Sequence, residues 1–462
     1  MNFEKENSSF RDPSGFLFWR ENILYRMISH SYSKHYDFFI NSGLYNQLVK
    51  KQFIISHDEV DNFGFEKCFK VIKPQKIPFI SYPYEWAFSQ FKDAALLTLQ
   101  IQKIALEYGM TLKDCSAYNV QFFNGKPIFI DTLSFEIYNQ GELWIGYKQF
   151  CQHFLAPLAL MSYSDVRLNQ LLRVYIDGIP LDMASRLLPR KTYFKLSLFL
   201  HLHMHSKSQK HFENKGEIKQ IKNKKISLTS FKGLIDNLEV GVKKLRWKSG
   251  GTEWANYYND DSYSKLAFED KKNLVSSFLC ICKPKVVWDL GSNDGYFSRV
   301  AKKQSEFVLS FDVDHSCVEN NYLKIKDKKE INILPLFLDL TNPSSGIGWA
   351  HNERMSLIKR GPADVILALA LIHHLSISNN VPFFMIAEFF SNLCSNLIIE
   401  FVFKSDKKVQ KLLSSRNDIF VDYTEEKFEK EFGKLFIIDI KEKIKDSKRS
   451  LYLMRKKEIF NG

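Results

Sequence analysis

Three carboxylates, each at the end of an apolar run, are the residues of this chain best placed to do chemistry. Asp289 closes the run Val286-Val287-Trp288 and stands two residues before Gly291, in a turn Gly291-Ser292-Asn293-Asp294-Gly295 that opens onto Tyr296. Asp312 ends Phe307-Val308-Leu309-Ser310-Phe311, far enough beyond Gly295 to leave room for one helix, and Asp339 ends a third run, Ile333 to Leu338. A pyrophosphate seated at a helix N-terminus would be repelled by an acid beside it. Asp289 therefore suits a ligand that carries positive charge, such as an ammonium and a sulfonium. A carboxylate at the tip of a second strand can accept hydrogen bonds from both ribose hydroxyls, and Asp312 is expected to do so.

These acids need strands behind them. Ala363 to Ala370 reads as a fourth strand, followed by His373 and His374; Leu397 to Val402 is a fifth and contains Glu400; Phe436 to Ile440 and Ser450 to Met454 form a last pair. Parallel sheets bind ligands outside their strand C-termini, so acids recurring at βα spacing point to one crevice. The glycine turn resembles motif I of the class I S-adenosyl-L-methionine methyltransferases, and seven strands in this order match that family's Rossmann-like α/β sheet. The resemblance implies S-adenosyl-L-methionine as cofactor, held by Asp289, Gly291, Ser292, Asn293, Gly295, Asp312, Asp339 and Ala370, with Asp339 near the adenine amino group. Asn293 departs from the usual triple-glycine form, but asparagine tolerates left-handed backbone better than most residues.

Methyl transfer from a sulfonium is an in-line displacement, so catalysis rests on holding nucleophile, methyl carbon and sulfur collinear. A hydroxyl nucleophile also needs a base. His373 and His374 follow the fourth strand and have a suitable pKa; Glu400 is the other candidate. The alternative for the histidines is a helix cap packed against the cofactor. Upstream, Thr252-Glu253-Trp254-Ala255-Asn256-Tyr257-Tyr258 and Tyr263 form an aromatic segment leading to a helix through Lys271, which by analogy could partner the methionine carboxylate; helix packing explains the aromatics almost as well.

The N-terminal half carries a different pattern. Asp93 is expected to cap a helix running from Ala94 through Leu106 and stopped by Gly109, and Asn124-Gly125 marks a type I′ hairpin. Between and after them, Asp114, Asn119 and Asp131 repeat the D-x4-N and hairpin-acid spacing of protein kinases and aminoglycoside phosphotransferases, where the set positions a hydroxyl and magnesium. Lys113 stands where a His-Arg or His-Gly pair would precede the aspartate, Thr132-Leu133 replace Phe-Gly, no glycine-rich phosphate loop is present, and Lys70 or Lys73 would have to supply the lysine. An α+β domain with kinase-lobe-like features is the expectation. The runner-up function is a bifunctional or converted phosphotransferase binding ATP and magnesium through Asp114, Asn119 and Asp131.

The runs Ser81-Tyr82-Pro83-Tyr84-Glu85-Trp86, Lys92-Asp93-Ala94-Ala95-Leu96-Leu97, Tyr118-Asn119-Val120-Gln121 and Tyr147-Lys148-Gln149-Phe150-Cys151 resemble the bacterial NoeA-type nodulation and polysaccharide-cluster proteins over nearly the full length. That resemblance implies an N-terminal accessory region joined to a methyltransferase domain, and a small-molecule or glycan acceptor. A partner protein could dock on the N-terminal domain.

At 462 residues the chain has room for two or three domains. The expected division is 1–205, a basic linker over 206–250, and the methyltransferase domain over 251–462. Of the formal charge of +13, +8 falls in residues 201–250, with 12 Lys/Arg against 4 Asp/Glu. A local excess with no RRM, KH or zinc-finger signature argues for a solvated linker and against nucleic acid. No apolar run approaches the ~20 residues of a membrane span, and the N-terminus does not read as a secretory signal. Seven cysteines with no CxxC pair point to a reducing cytoplasm. His201-Leu202-His203-Met204-His205 has no carboxylate or cysteine cluster beside it, so no metal site is expected.

Overall fold

Residues 3–205, 225–250, 264–414 and 417–458 are described in the computed structural model. They fall into two units, Met1–Lys248 with Ile347–Arg354, and Ser249–Gly346 with Met355–Gly462. Ile347–Arg354 belongs to the first unit because Glu353 pairs with Arg11 Nε at 2.7 Å and the Arg354 guanidinium lies 4.3 Å from the Tyr118 ring centre.

In the first unit, short alternating runs pair into an antiparallel sheet of β1 (Glu4–Lys5), β2 (Gly15–Arg20), β3 (Ile23–Ser29), β4 (His57–Val60) and β5 (Cys68–Pro74), in spatial order β1-β2-β3-β5-β4. Ile28 of β3 and Ile72 of β5 bury against Tyr32, Tyr36 and Leu133. The helix expected from Asp93 begins at Phe88 and runs to Glu107. Burial of Phe88 and Phe91 draws the helix N-terminal of Asp93, and Gln90 Oε1 accepts the Ala87 N–H at 2.9 Å. Gly109 ends it with φ +74°. β6 (Met110–Leu112) pairs with β9 (Phe135–Ile137), and β7 (Val120–Phe123) forms the expected hairpin with β8 (Lys126–Phe129), Asn124 and Gly125 both at positive φ as a type I′ turn requires.

The stretch expected as a linker is only partly so. Residues 206–224 lie outside the described residues, but Leu228–Lys244 is a helix that buries Phe231, Ile235, Leu238 and Val242. Their spacing is one helical face. Lys232, Lys243 and Lys244 occupy its exposed side with Asp236, so the helix presents a solvated face over an apolar stripe, while most of the charge excess of residues 201–250 falls outside it.

The second unit is a seven-stranded mixed sheet. Its strands are β10 (Val286–Leu290), β11 (Phe307–Asp312), β12 (Ile333–Phe337), β13 (Ala363–Ala368), β14 (Cys394–Val402), β15 (Phe436–Lys443) and β16 (Arg449–Lys456), in order β12-β11-β10-β13-β14-β16-β15. β10 to β14 are parallel, and β16 runs antiparallel to both β14 and β15. All seven expected strands are present. The chain crosses over once, from β12 at one edge to β13 beyond β10, so the order reverses at β10, where open α/β sheets leave a crevice at their strand C-termini. No helix among the described residues is long and apolar enough to cross a membrane.

Candidate cofactor site

Period-two alternation turns one face of this sheet from apolar to polar at a single edge. Val287, Val308 and Ile398 bury in the core formed with Val275 and Leu279 of the helix Lys265–Cys282 and with Phe297 and Val300 of the helix Tyr296–Lys302. The next residues on that face are Asp289 on β10, Ser310 then Asp312 on β11, and Glu400 on β14. On β16, which runs the other way, Leu451 gives way to Arg449. β10, β11, β14 and β16 thus each deliver a polar side chain to the C-terminal rim of the parallel strands.

The glycine turn is built into this rim. Gly291, Asn293 and Gly295 have φ of +74°, +52° and +80°, so Asn293 adopts the left-handed conformation that its neighbours need glycine for. The N–H groups of Gly291 and Ser292 both donate to Phe311 O at 2.9 Å. Asp312 accepts from Asn293 N at 2.7 Å and Asp314 N at 2.8 Å, and Leu338 N donates to Asp312 O at 2.9 Å. Asp339 therefore follows directly on the residue tied to Asp312; its carboxylate accepts from Thr341 N at 2.8 Å and Thr341 Oγ1 at 2.6 Å. A Cβ on Gly295 would stand 2.5 Å from Asn321 Nδ2, and one on Gly291 3.4 Å from Leu371 Cδ1.

Beneath the turn runs a chain of small polar groups. Ser298 Oγ donates to Asp289 Oδ2 at 2.6 Å and lies 2.8 Å from Ser310 Oγ, which donates to Ser292 Oγ at 2.8 Å and accepts from Asn321 Nδ2 at 2.8 Å. Sequence reasoning missed Ser298, Ser310 and Asn321. The serine on the polar face of β11, two residues before Asp312, was the available signal. Burial raises Asp289 to about 7, with Asp312 adding to the rise, and burial raises Asp312 to about 6. Two buried acids whose charge is disfavoured, beside a turn packed closely against Asn321 and Leu371, fit a cationic ligand with a ribose better than they fit a pyrophosphate.

Beyond β13 the expected residues lie among other charges. Glu400, expected as a base, is engaged: its carboxylate accepts from Lys271 Nζ at 2.6 Å, Ala370 N at 2.9 Å and Arg449 Nη1 at 3.1 Å. Both oxygens of this buried carboxylate are thus met by donors. Lys271, expected to partner a carboxylate of the cofactor, pairs here with that of Glu400. The aromatic segment Thr252 to Tyr258, with Tyr263, lies outside the described residues. Ala370 has φ +51°. His373 is buried with Nδ1 lacking a hydrogen-bond partner, and burial, reinforced by His374, holds its pKa well below the ordinary range. His374 is half-buried, its ring centre 4.1 Å from that of His373.

In the first unit, Asp131 is ion-paired with Arg26, whose other amino group donates to Asp12 Oδ2 at 2.6 Å. Ser134 Oγ donates to Asp131 and accepts from Asn119 Nδ2 at 3.2 Å. Burial, then the charge of Asp131, raises Asp114 above the usual carboxylate range. Asp114, Asn119 and Asp131 are thus brought together, but a guanidinium holds the acid that a magnesium ion would need. Lys113 donates to Ser14 Oγ at 2.8 Å, and Lys70 pairs with Glu59. Sequence reasoning looked for a lysine and missed Arg26. His201 lies between Tyr147 and Asn237, and His203 between Ser185 and Thr192; no group of three metal-ligating side chains occurs among the described residues.

No family model matches the chain. It is 34% identical over 460 residues to nodulation protein NoeA of Rhizobium meliloti (strain 1021), covering 97% of this chain and 96% of that one. The chain belongs to the NoeA family. Membership spans both units, as the whole-length resemblance implied. Solved structures similar to part of this NoeA-family chain include the N-methyltransferase NodS from Bradyrhizobium japonicum WM9, 8% identical over 42% of this chain and 99% of that one with a TM-score of 0.32. Another is magnesium protoporphyrin IX methyltransferase from Synechocystis PCC 6803, 16% identical over 44% and 93% with a TM-score of 0.31. The bifunctional kinase-methyltransferase WbdD is 15% identical over 45% and 42% with a TM-score of 0.29.

Proposed function

We propose that the second unit is a methyltransferase using S-adenosyl-L-methionine, and that it methylates a small-molecule or glycan acceptor. One observation carries this: Asp289 on β10, Asp312 at the end of β11 and Asp339 two residues past β12 stand at the C-terminal ends of three adjacent parallel strands, by the Gly291–Gly295 turn that follows β10, the strand at which the order reverses. Asp312 would accept the ribose hydroxyls, Asp339 would lie toward the adenine, and Asp289 would sit behind the turn with its charge toward the cationic end.

When bound, the cofactor supplies a methyl group activated by its positive sulfur. The chain's part is to hold the acceptor in line with it and to manage one proton. His373 and His374 are the candidates for the proton: both follow β13, burial keeps the His373 imidazole neutral while lowering its basicity, and His374 is the more open of the two. For the first unit we propose a binding or accessory role in place of phosphoryl transfer, since Arg26 neutralises Asp131.

Calorimetry with S-adenosylhomocysteine tests the reading. Binding in the micromolar range that is lost in Asp312→Ala supports it; no heat at high micromolar ligand sinks it. Radiolabelled methyl transfer to cell-extract fractions separated into glycan, RNA, protein and small molecules identifies the acceptor.

A further inference from the structure

Glu400 draws donors from three separate elements onto its two oxygens. Lys271, from the helix Lys265–Cys282, and the N–H of Ala370, just past β13, meet at Oε2, at 2.6 and 2.9 Å. Arg449 of β16 donates to Oε1 at 3.1 Å and to Asp406 Oδ2 at 2.8 Å, so two cations face two anions. Lys271, Glu400 and Arg449 are all buried. A buried network of this kind is weak evidence for stability, because desolvation offsets the Coulombic gain. Its use is geometric.

The geometry acts at Ala370. Its φ of +51° is unfavourable for a residue with a Cβ, and such a conformation persists where the surroundings over-determine it. The next residue, Leu371, places Cδ1 3.4 Å from where a Cβ on Gly291 would stand. The position of the Ala370 turn therefore decides how closely Leu371 approaches the glycine turn.

We propose that Glu400 is a positioning residue: by accepting the Ala370 N–H it holds the left-handed turn that seats Leu371 against Gly291, and so shapes the cofactor cradle. This rests on the methyltransferase reading above. The carboxylate is needed because it offers acceptors to all three donors, whereas an amide turns a donor toward at least one of them.

The test is a double-mutant cycle of Glu400→Gln and Ala370→Gly in the full chain, with S-adenosylhomocysteine affinity read by calorimetry and unfolding temperature read alongside. Glycine adopts positive φ without a Cβ penalty, so its turn should depend less on Glu400. Glu400→Gln is expected to weaken binding by about tenfold, and by under about threefold when combined with Ala370→Gly, a coupling within the range seen for contacting residues. An equal loss in both backgrounds overturns the inference. So does a lower unfolding temperature with affinity unchanged, which would make Glu400 a structural ion-pair member alone. If Glu400→Gln does not fold, Glu400→Asp, which keeps the charge and withdraws the oxygens, enters the same cycle. Failure of the unsubstituted chain to bind the ligand would instead overturn the methyltransferase reading.

Discussion

Asp312 Oδ2 accepts the backbone N–H of Asn293 at 2.7 Å. The residue that departs from glycine in the turn is therefore the one held by the second-strand acid, and its own Oδ1 accepts the Asp294 N–H at 2.8 Å. The turn geometry is kept by hydrogen bonds where the glycine is missing.

Asp312→Ala removes the acceptor of two backbone N–H groups and of the proposed ribose contacts. A hydrogen bond to a charged group contributes about 2 kcal/mol, so S-adenosylhomocysteine affinity should fall at least ~30-fold by calorimetry. Asn293→Gly should bind within about threefold of the unsubstituted chain, since the backbone N–H remains. Equal losses in both would mean that the side chain of Asn293, and not its N–H, is what the site uses.

Affinity should depend on pH in a stated direction. Burial raises Asp289 from 3.8 to about 7 and Asp312 from 3.8 to about 6. S-adenosyl-L-methionine, with its positive sulfur, favours the ionised forms, so its binding releases protons and strengthens as pH rises from about 5 through about 7, levelling off above that. Calorimetry in buffers of different ionisation heat would detect the released protons. For folding the sign is opposite: acids with raised folded pKa favour the native state below about pH 4, and this contribution is lost as pH rises through about 6 to 7.

Gly295→Ala should abolish cofactor binding and lower stability by about 1–3 kcal/mol, because the new Cβ meets Asn321 at 2.5 Å at a φ of +80°. Urea unfolding gives the stability change. Adding Asn321→Ala should recover part of it; no recovery would assign the loss to backbone strain alone.

If His373 takes the proton, His373→Ala should slow methyl transfer by 10²- to 10⁴-fold, the usual span for a general base, and leave S-adenosylhomocysteine affinity unchanged. Transfer to the active extract fraction measures the first and calorimetry the second. An unaltered rate would pass the role to His374.

ATP with magnesium should give no thermal shift in the unsubstituted chain, because Arg26 already neutralises Asp131. Arg26→Ala leaves Asp12 and Asp131 facing each other without a cation and should destabilise the first unit by about 3 kcal/mol. A clear ATP-dependent shift would revive the phosphotransferase reading.

The seven strands and their acids were legible in the chain because each is a local pattern: an apolar run, an acid or glycine at its end, then a helix. The Asn124-Gly125 hairpin was legible for the same reason. Where a buried face was hidden by charge, as in Leu228–Lys244, or where two phenylalanines extended a helix past a capping residue, as at Phe88 and Phe91, composition misled. What the chain alone decided was thus the element order and the residues at each strand's tip, since alternation and turn chemistry act over a few neighbours. The partners of Glu400 and of Asp131 were decided only by the tertiary structure. Lys271, Ala370 and Arg449 come from positions 271 to 449, and Arg26 lies more than a hundred residues before Asp131; such meetings follow from which strands become neighbours and which helices and turns pack against them, a choice no short window of sequence contains.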